Sequence, residues 1–313
     1  MSLSDKIRRL KTEKGVTILA HYYQPLEVQK IADVMGDSLG LAKVAKNEIN
    51  TPYILFAAVK FMAETASILN QDKVVLSPEL RAGCPLSNFI NPSVILEYKS
   101  QYPKAPLIVY VNTTAQTKAA ADVCCTSSNA LTIVKNVAKD WKTDNILFGP
   151  DKNLAAWVKQ ESGLNVIPVP PNGNCLVHNQ FSIDHVHEAR AAHPGAHLLC
   201  HPESPIEVLR QADYVGSTSG MIQYVETHDI PAGFILGTEI GLSDHLQDKY
   251  PSKKLFPLSS DAVCRNMKKI TLEKILLVLE SIGTPQESQF EVRVPAEIAE
   301  KAVKSIDTMM RYS

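Results

Sequence analysis

The sequence predicts an α/β protein made of three similar α/β/α domains, each with a parallel sheet, set around a pseudo-threefold axis. Three observations predict it. Short apolar, β-branched runs alternate with helical patterns along the whole chain. One pattern recurs three times, as ADVMGDSLG from Ala32, ADVCCTSSN from Ala121 and ADYVGSTSG from Ala212, so that Asp33, Asp122 and Asp213 stand 89 and 91 residues apart. A cysteine closes each third, with Cys84, Cys175 and Cys264 following those aspartates by 51, 53 and 51 residues.

The register extends to other polar positions. Twelve residues before each aspartate stands His21, Tyr110 or His201, and two residues further on come Tyr23, Asn112 and Glu203. Five residues after each aspartate come Ser38, Ser127 and Thr218.

Each third opens with a run (VTILA, LIVYV, HLLC) that reads as a buried parallel strand with polar residues at its carboxyl end. The aspartate and a small-residue turn follow, then the helical patterns LGLAKVAKNE, NALTIVKNVAKD and GMIQYVETH. Ser38, Ser127 and Thr218 fall at or next to the start of these helices, where a hydroxyl is expected to cap free amides. A second strand (YILFAAV, NILFG, AGFILG), another helix and a third strand (KVVLS, NVIPV, KLFPL) complete each unit, and the cysteine lies in the loop beyond. The expected domains are residues 1–84, completed by two C-terminal helices within 265–313 and packed back on this first unit, then 85–175 and 176–264. In parallel α/β sheets, ligands bind beyond the carboxyl ends of the strands, which is where every repeated polar residue lies.

Composition narrows the classes. The 313 residues are 45% apolar and 21% charged with a formal net charge of -1, which suits a globular protein with ample core material. Lysine and arginine are scattered, so no basic stripe marks a nucleic-acid partner. The run VTILA is too short for a signal-peptide core or a membrane span, and a cytoplasmic location is expected. Six cysteines in so long a chain are too sparse for a disulfide scaffold.

Within PPNGNCLVHN, Cys175 and His178 form a C-x-x-H pair that would need a second pair to close a zinc site. Three loop cysteines in register make a three-thiolate site instead. Such a set suits a [4Fe–4S] cluster better than zinc, and with three ligands one iron keeps an open position able to act as a Lewis acid. A zinc-dependent lyase and a non-catalytic binder of phosphorylated metabolites remain alternatives. Cys124, Cys125 and Cys200 are out of register and read as packing residues. His21, His201 and Glu203 end apolar strands beside the thiolates, which favours substrate contact. Three helix starts with hydroxyls favour a phosphate or carboxylate.

The stretches LAHYYQPLEVQKIADVMGDSLGLAKVA, YVNTTAQTKAAADVCCTSSNA, NGNCLVH, HPES and ADYVGSTSGMIQYV, with single cysteines in RAGCPLSNF and AVCRNMKKITLEKI, resemble the quinolinate synthase family of the bacterial and archaeal NAD pathway. The resemblance runs to about residue 282. It implies a [4Fe–4S] cluster on Cys84, Cys175 and Cys264 and a condensation of iminoaspartate with dihydroxyacetone phosphate to quinolinate, phosphate and water. An enzyme supplying iminoaspartate is an implied partner. Substrate contacts are implied at His21, Ser38, Tyr110, Val111, Asn112, Ser127, His201, Pro202, Glu203, Ser217 and Thr218, with catalytic work at Tyr23, Glu203, His21 and Tyr110. Two departures stand out: CRNMKK has one cysteine where some relatives have a pair, and Ser204 stands where some have cysteine.

Overall fold

A computed structural model describes residues 2–313. The first unit runs α1 (Leu3–Lys14), β1 (Val16–His21), α2 (Leu26–Gln29), β2 (Val34–Gly36), α3 (Ser38–Asn47), β3 (Tyr53–Ala57), α4 (Lys60–Leu69) and β4 (Val74–Leu76). The second repeats it with α5 (Pro92–Gln101), β5 (Leu107–Tyr110), α6 (Ala115–Ala120), β6 (Val123–Cys125), α7 (Ala130–Trp141), β7 (Asn145–Gly149), α8 (Lys152–Ser162) and β8 (Asn165–Pro168). The third has α9 (Ile183–Ala192), β9 (His197–Cys200), α10 (Ile206–Leu209), β10 (Tyr214–Val215), α11 (Thr218–Thr227), β11 (Phe234–Gly237), α12 (Ile240–Lys249) and β12 (Leu255–Pro257). Two helices follow, α13 (Leu272–Ser281) and α14 (Ala296–Tyr312).

Three four-stranded parallel sheets result, ordered β2-β1-β3-β4, β6-β5-β7-β8 and β10-β9-β11-β12. The order is the same each time. The chain leaves the first strand for the edge, then crosses back to the other side, and the carboxyl ends of the two inner strands flank the switch point where α/β sheets bind ligands. One strand per sheet escapes the sequence pattern: β2, β6 and β10 are two or three residues long and follow the repeated aspartate directly. Segments this short show neither alternation nor an apolar run.

The repeated aspartates make these short strands possible. Asp33 donates its backbone N–H to the Ile18 carbonyl at 2.8 Å, while its Oδ2 accepts the Ile18 N–H, also at 2.8 Å. Asp122 exchanges the same two bonds with Leu107, and Asp213 with Leu198. A cation from the helix before the first strand completes each clamp: Lys11 Nζ lies 2.6 Å from Asp33, Lys99 Nζ 2.8 Å from Asp122 and Arg190 Nη2 3.1 Å from Asp213. The side chain thus stands in for a missing ladder bond. Ile18, Leu107 and Leu198 are fully buried, so without that acceptor their N–H groups would be left unpaired out of water.

The C-terminal helices divide between units. On α13, Leu272, Ile275, Val278 and Leu279 join Ile7 of α1 and Ile18 in a core on the first unit. Its N-cap, Thr271, follows Cys264 by seven residues, as Asn91 follows Cys84 and Ser182 follows Cys175, so α13 opens like α5 and α9. The amphipathic α14 departs from the expectation that both helices cover the first unit. It packs chiefly on α6 and β6 of the second, with α4 of the first beside it. Ala299, Ala302, Ser305, Ile306 and Met309 form its buried stripe. Cys124 and Cys125 are fully buried on β6, with Cys124 Sγ 3.3 Å from Ser305 Oγ under α14.

Asp122→Ala is expected to destabilise the chain by about 1–3 kcal/mol through the orphaned Leu107 N–H, read as a lower urea midpoint. Ala at exposed Asp184, which lies outside the clamps, should move the midpoint by less than about 0.5 kcal/mol.

Candidate active site and its cysteine loops

The carboxyl ends of all three sheets border one cavity of about 600 Å³. Cys84, Cys175 and Cys264, each from the loop after its unit's last strand, line it. So do His21, Tyr23, Ser38, Tyr110, Asn112, Ser127, His201, Glu203 and Thr218. Val111, Pro202 and Ser217 do not. The Val111 side chain is buried in the apolar core and its N–H bonds to the Cys125 carbonyl, Pro202 is buried in the turn after β9, and the Ser217 hydroxyl caps α11 by accepting the Gly220 N–H at 3.2 Å.

The three repeated hydroxyls do not cap their helices as expected. Asp37, Asn129 and Ser217 occupy the N-cap positions, with Ser38 and Thr218 as first helical residues and Ser127 two residues before its cap. The neighbours of Ser38 and Thr218 satisfy the amides, which leaves those hydroxyls facing the cavity. Thr218 Oγ1 donates to the Tyr23 phenol at 3.2 Å, and Ser127 Oγ lies 3.2 Å from His201 Nε2.

Strands β1 and β9 end in equivalent turns. His21 Nδ1 accepts the Tyr23 N–H at 3.1 Å, and His201 Nδ1 accepts the Glu203 N–H at 3.4 Å. Each ring is thereby fixed in the tautomer that carries its proton on Nε2, and the residue two positions on is turned inward. This is why Tyr23 and Glu203, matched in the repeat, reach one cavity from opposite units.

A chain of hydrogen bonds joins them. The Tyr23 hydroxyl lies 2.7 Å from Thr238 Oγ1, Thr238 Oγ1 lies 3.0 Å from His178 Nε2, and His178 Nδ1 lies 2.7 Å from Glu203 Oε2. One proton arrangement satisfies every link. Tyr23 donates to Thr238, Thr238 to His178, and His178 through Nδ1 to the carboxylate. His178 and Thr238 were not picked out by sequence as acting groups. His178 was visible only as a neighbour of Cys175, and Thr238 occupies a repeat position held by Ala58 and Pro150 in the other units, so its hydroxyl is an asymmetry of the register. Two buried acceptors, Glu203 Oε1 and Asn112 Oδ1, have no hydrogen-bond partner among the described residues. Unpaired acceptors in a cavity wall await donors from a bound molecule.

Burial sets the charges. It pushes the His21 ring down to about 4 and the His201 ring down to about 3, so both are neutral at pH 7. Burial also acts to raise the Glu203 carboxyl, but His201 and His178 more than offset it and the group is held down at about 2. His201 is itself neutral near pH 7, and the short hydrogen bond from His178, with Tyr110 acting in the same direction, helps keep Glu203 ionised. Tyr23 and Tyr110 are pushed well above the usual phenol range, by burial first, so both remain proton donors.

The thiols are also shaped by burial. It raises Cys84 to about 12, with the nearby Cys264 adding to the effect, and it raises Cys175 and Cys264 as well. Backbone N–H groups oppose this at each sulfur: those of Leu86 and Ser87 at Cys84, His178 at Cys175, and Asn266 and Met267 at Cys264. A thiolate at any of these sulfurs would need a cation beside it. Among the described residues, one group has its ligand atoms all within 4.8 Å of one another, namely Cys175, His178 and Glu203.

His21 and His201 have folded-state values below the ordinary 6.5, so the unfolded chain binds more protons between about pH 3 and pH 6.5. Stability is therefore expected to fall as pH drops through that window. Urea titrations of the metal-free chain at pH 7.5, 6 and 5 should show the fall, and His201→Gln should flatten it.

The family described as quinolinate synthetase A protein matches residues 5–311. A quinolinate synthase of Pyrococcus furiosus is 47% identical over 311 residues, which cover 99% of this chain and 98% of that protein. One from Methanocaldococcus jannaschii is 45% identical over 316 residues, 99% of each. One from Thermotoga sp. is 45% identical over 302 residues, 96% of this chain and 97% of that protein. A match over nearly the whole length makes this chain a member of the quinolinate synthetase A protein family, a family of enzymes.

Proposed function

We propose that the chain is a quinolinate synthase that condenses iminoaspartate with dihydroxyacetone phosphate, releasing quinolinate, inorganic phosphate and two waters. The observation that carries the reading is the meeting of three cysteine loops, one per unit, with the chain from Tyr23 to Glu203 in a single cavity. Cys84, Cys175 and Cys264 would hold a [4Fe–4S] cluster. Their donor chemistry fits it, with three cavity-lining sulfurs whose neighbouring backbone N–H groups favour the thiolate. When bound, the cluster supplies a Lewis-acidic iron that helps a substrate oxygen leave as water.

The chain's own residues do the rest. The ionised Glu203, with Oε1 free, accepts a proton from carbon next to an imine or carbonyl. The Tyr23 phenol returns protons to departing oxygen, and Thr238 and His178 offer the path by which the two groups exchange them. Ser38, Ser127 and Thr218 offer hydroxyls to the phosphate or carboxylates of the substrates beside helix starts whose amides carry partial positive charge. Neutral His21 and His201 present Nε2 donors to substrate oxygens without adding a competing charge. No helix among the described residues is long and apolar enough to cross a membrane, in keeping with small water-soluble substrates and the cytoplasmic location we propose. The enzyme that makes iminoaspartate is the partner this chemistry calls for.

A specific observation favours one rival. Cys175, His178 and Glu203 are close enough to hold a single ion such as zinc. That rival uses one of the three loop cysteines and gives no part to Cys84 and Cys264, which line the same cavity at matched positions of the repeat.

Anaerobically prepared protein is expected to carry iron and sulfide near four each per chain, as the cluster formula requires. Zinc in their place would overturn the reading. Cys175→Ser should lose the iron while Cys124→Ser keeps it. Glu203→Gln should keep the iron and form quinolinate at least about 100-fold more slowly.

A further inference from the structure

The three cysteine loops are pinned alike in one respect. The first residue of α4, α8 and α12 donates its N–H to the carbonyl two positions before the cysteine: Lys60 to Ala82 at 2.8 Å, Lys152 to Gly173 at 2.8 Å and Ile240 to Ala262 at 2.9 Å. The preceding N-cap residue differs between units, being Val59, Asp151 and Glu239. Asp151 Oδ2 accepts the N–H of Cys175 at 2.9 Å, and Glu239 Oε1 accepts the N–H of Cys264 at 3.0 Å. Val59 has no acceptor to offer. Within the described residues the Cys84 N–H has no partner.

Packing does not add to the difference at the position two before each cysteine, where Ala82, Gly173 and Ala262 are all buried. A Cβ on Gly173 would collide with the Pro150 carbonyl, so the Cys175 loop lies directly against the end of β7. A second cavity of about 270 Å³ is bordered by Gly83, Cys84, Pro85 and Ser87.

Resting on the cluster reading above, we infer that Asp151 and Glu239 are positioning residues for Cys175 and Cys264, and that Cys84 is the loosely held ligand through which the cluster is gained and lost. Both carboxyl groups are spent on backbone N–H groups, Asp151 on those of Asn153, Leu154 and Cys175 and Glu239 on those of Gly241 and Cys264. They fix the backbone that carries two of the three sulfurs, as groups behind metal ligands do, while the Cys84 loop has the Lys60–Ala82 bond common to all three and no carboxylate on its cysteine N–H.

Two experiments decide it. In the metal-free chain, amide hydrogen exchange read on peptides spanning each loop should be about tenfold faster around Cys84 than around Cys175 and Cys264. In the loaded chain, Asp151→Asn keeps the Oδ1 cap on Asn153 and Leu154 while setting an N–H donor against Cys175. Iron loss to a chelator, followed by absorbance, should then be about tenfold faster than in the wild type, with far-ultraviolet dichroism unchanged, and Glu239→Gln should behave alike. Equal exchange in the three loops, or wild-type iron loss in both variants, overturns the inference. A lower melting temperature with unchanged iron loss would assign the carboxyl groups a structural role only. Wild-type protein that takes up no iron and sulfide would defeat the cluster reading instead, and the exchange comparison would still decide the order of the loops.

Discussion

Each sheet depends on one carboxylate. Asp33, Asp122 and Asp213 tie a very short edge strand to the first strand through a pair of bonds that mimics a ladder rung, and a cation from the preceding helix holds each in place. The edge strand delivers the chain to the next helix start, and the helix start carries the hydroxyl that faces the cavity. Loss of the clamp would release the short strand and everything aimed by it. The three clamps explain why the repeat is readable at all, since the interval from aspartate to strand is fixed by backbone geometry.

The chemistry of the cavity wall rests on departures from the repeat. Equivalent turns after β1 and β9 present Tyr23 in one unit and Glu203 in another, a proton donor and a proton acceptor at the same register. The second unit places Asn112 there, with an unpaired acceptor in the cavity wall. Thr238 replaces apolar residues of the other units and closes the chain from phenol to carboxylate. Symmetry brings the groups together, and asymmetry makes them chemically distinct.

Burial maintains that distinction. Water exclusion keeps His21 and His201 neutral and the phenols protonated, whereas Glu203 stays charged with the help of His178, which donates to it at 2.7 Å. The thiols are raised by the same exclusion and turn to thiolates only with a cation beside them. Burial therefore holds the histidines, phenols and thiols uncharged, and Glu203 is the group in which neighbouring contacts override it.

The sequence by itself determined the three units, the main strands and the set of polar positions at their carboxyl ends, because hydrophobic periodicity and a fixed repeat interval are properties of the chain read one residue at a time. It also singled out Cys84, Cys175 and Cys264 by register. Only the tertiary structure decided that Asp37 and Ser217 cap their helices in place of Ser38 and Thr218, that α14 crosses to the second unit, and that His178 and Thr238 link Tyr23 to Glu203. The reason is physical. A hydrogen bond between residues 215 positions apart, such as that of Tyr23 with Thr238, leaves no periodicity in the chain, and its existence is settled when three sheets close on one cavity.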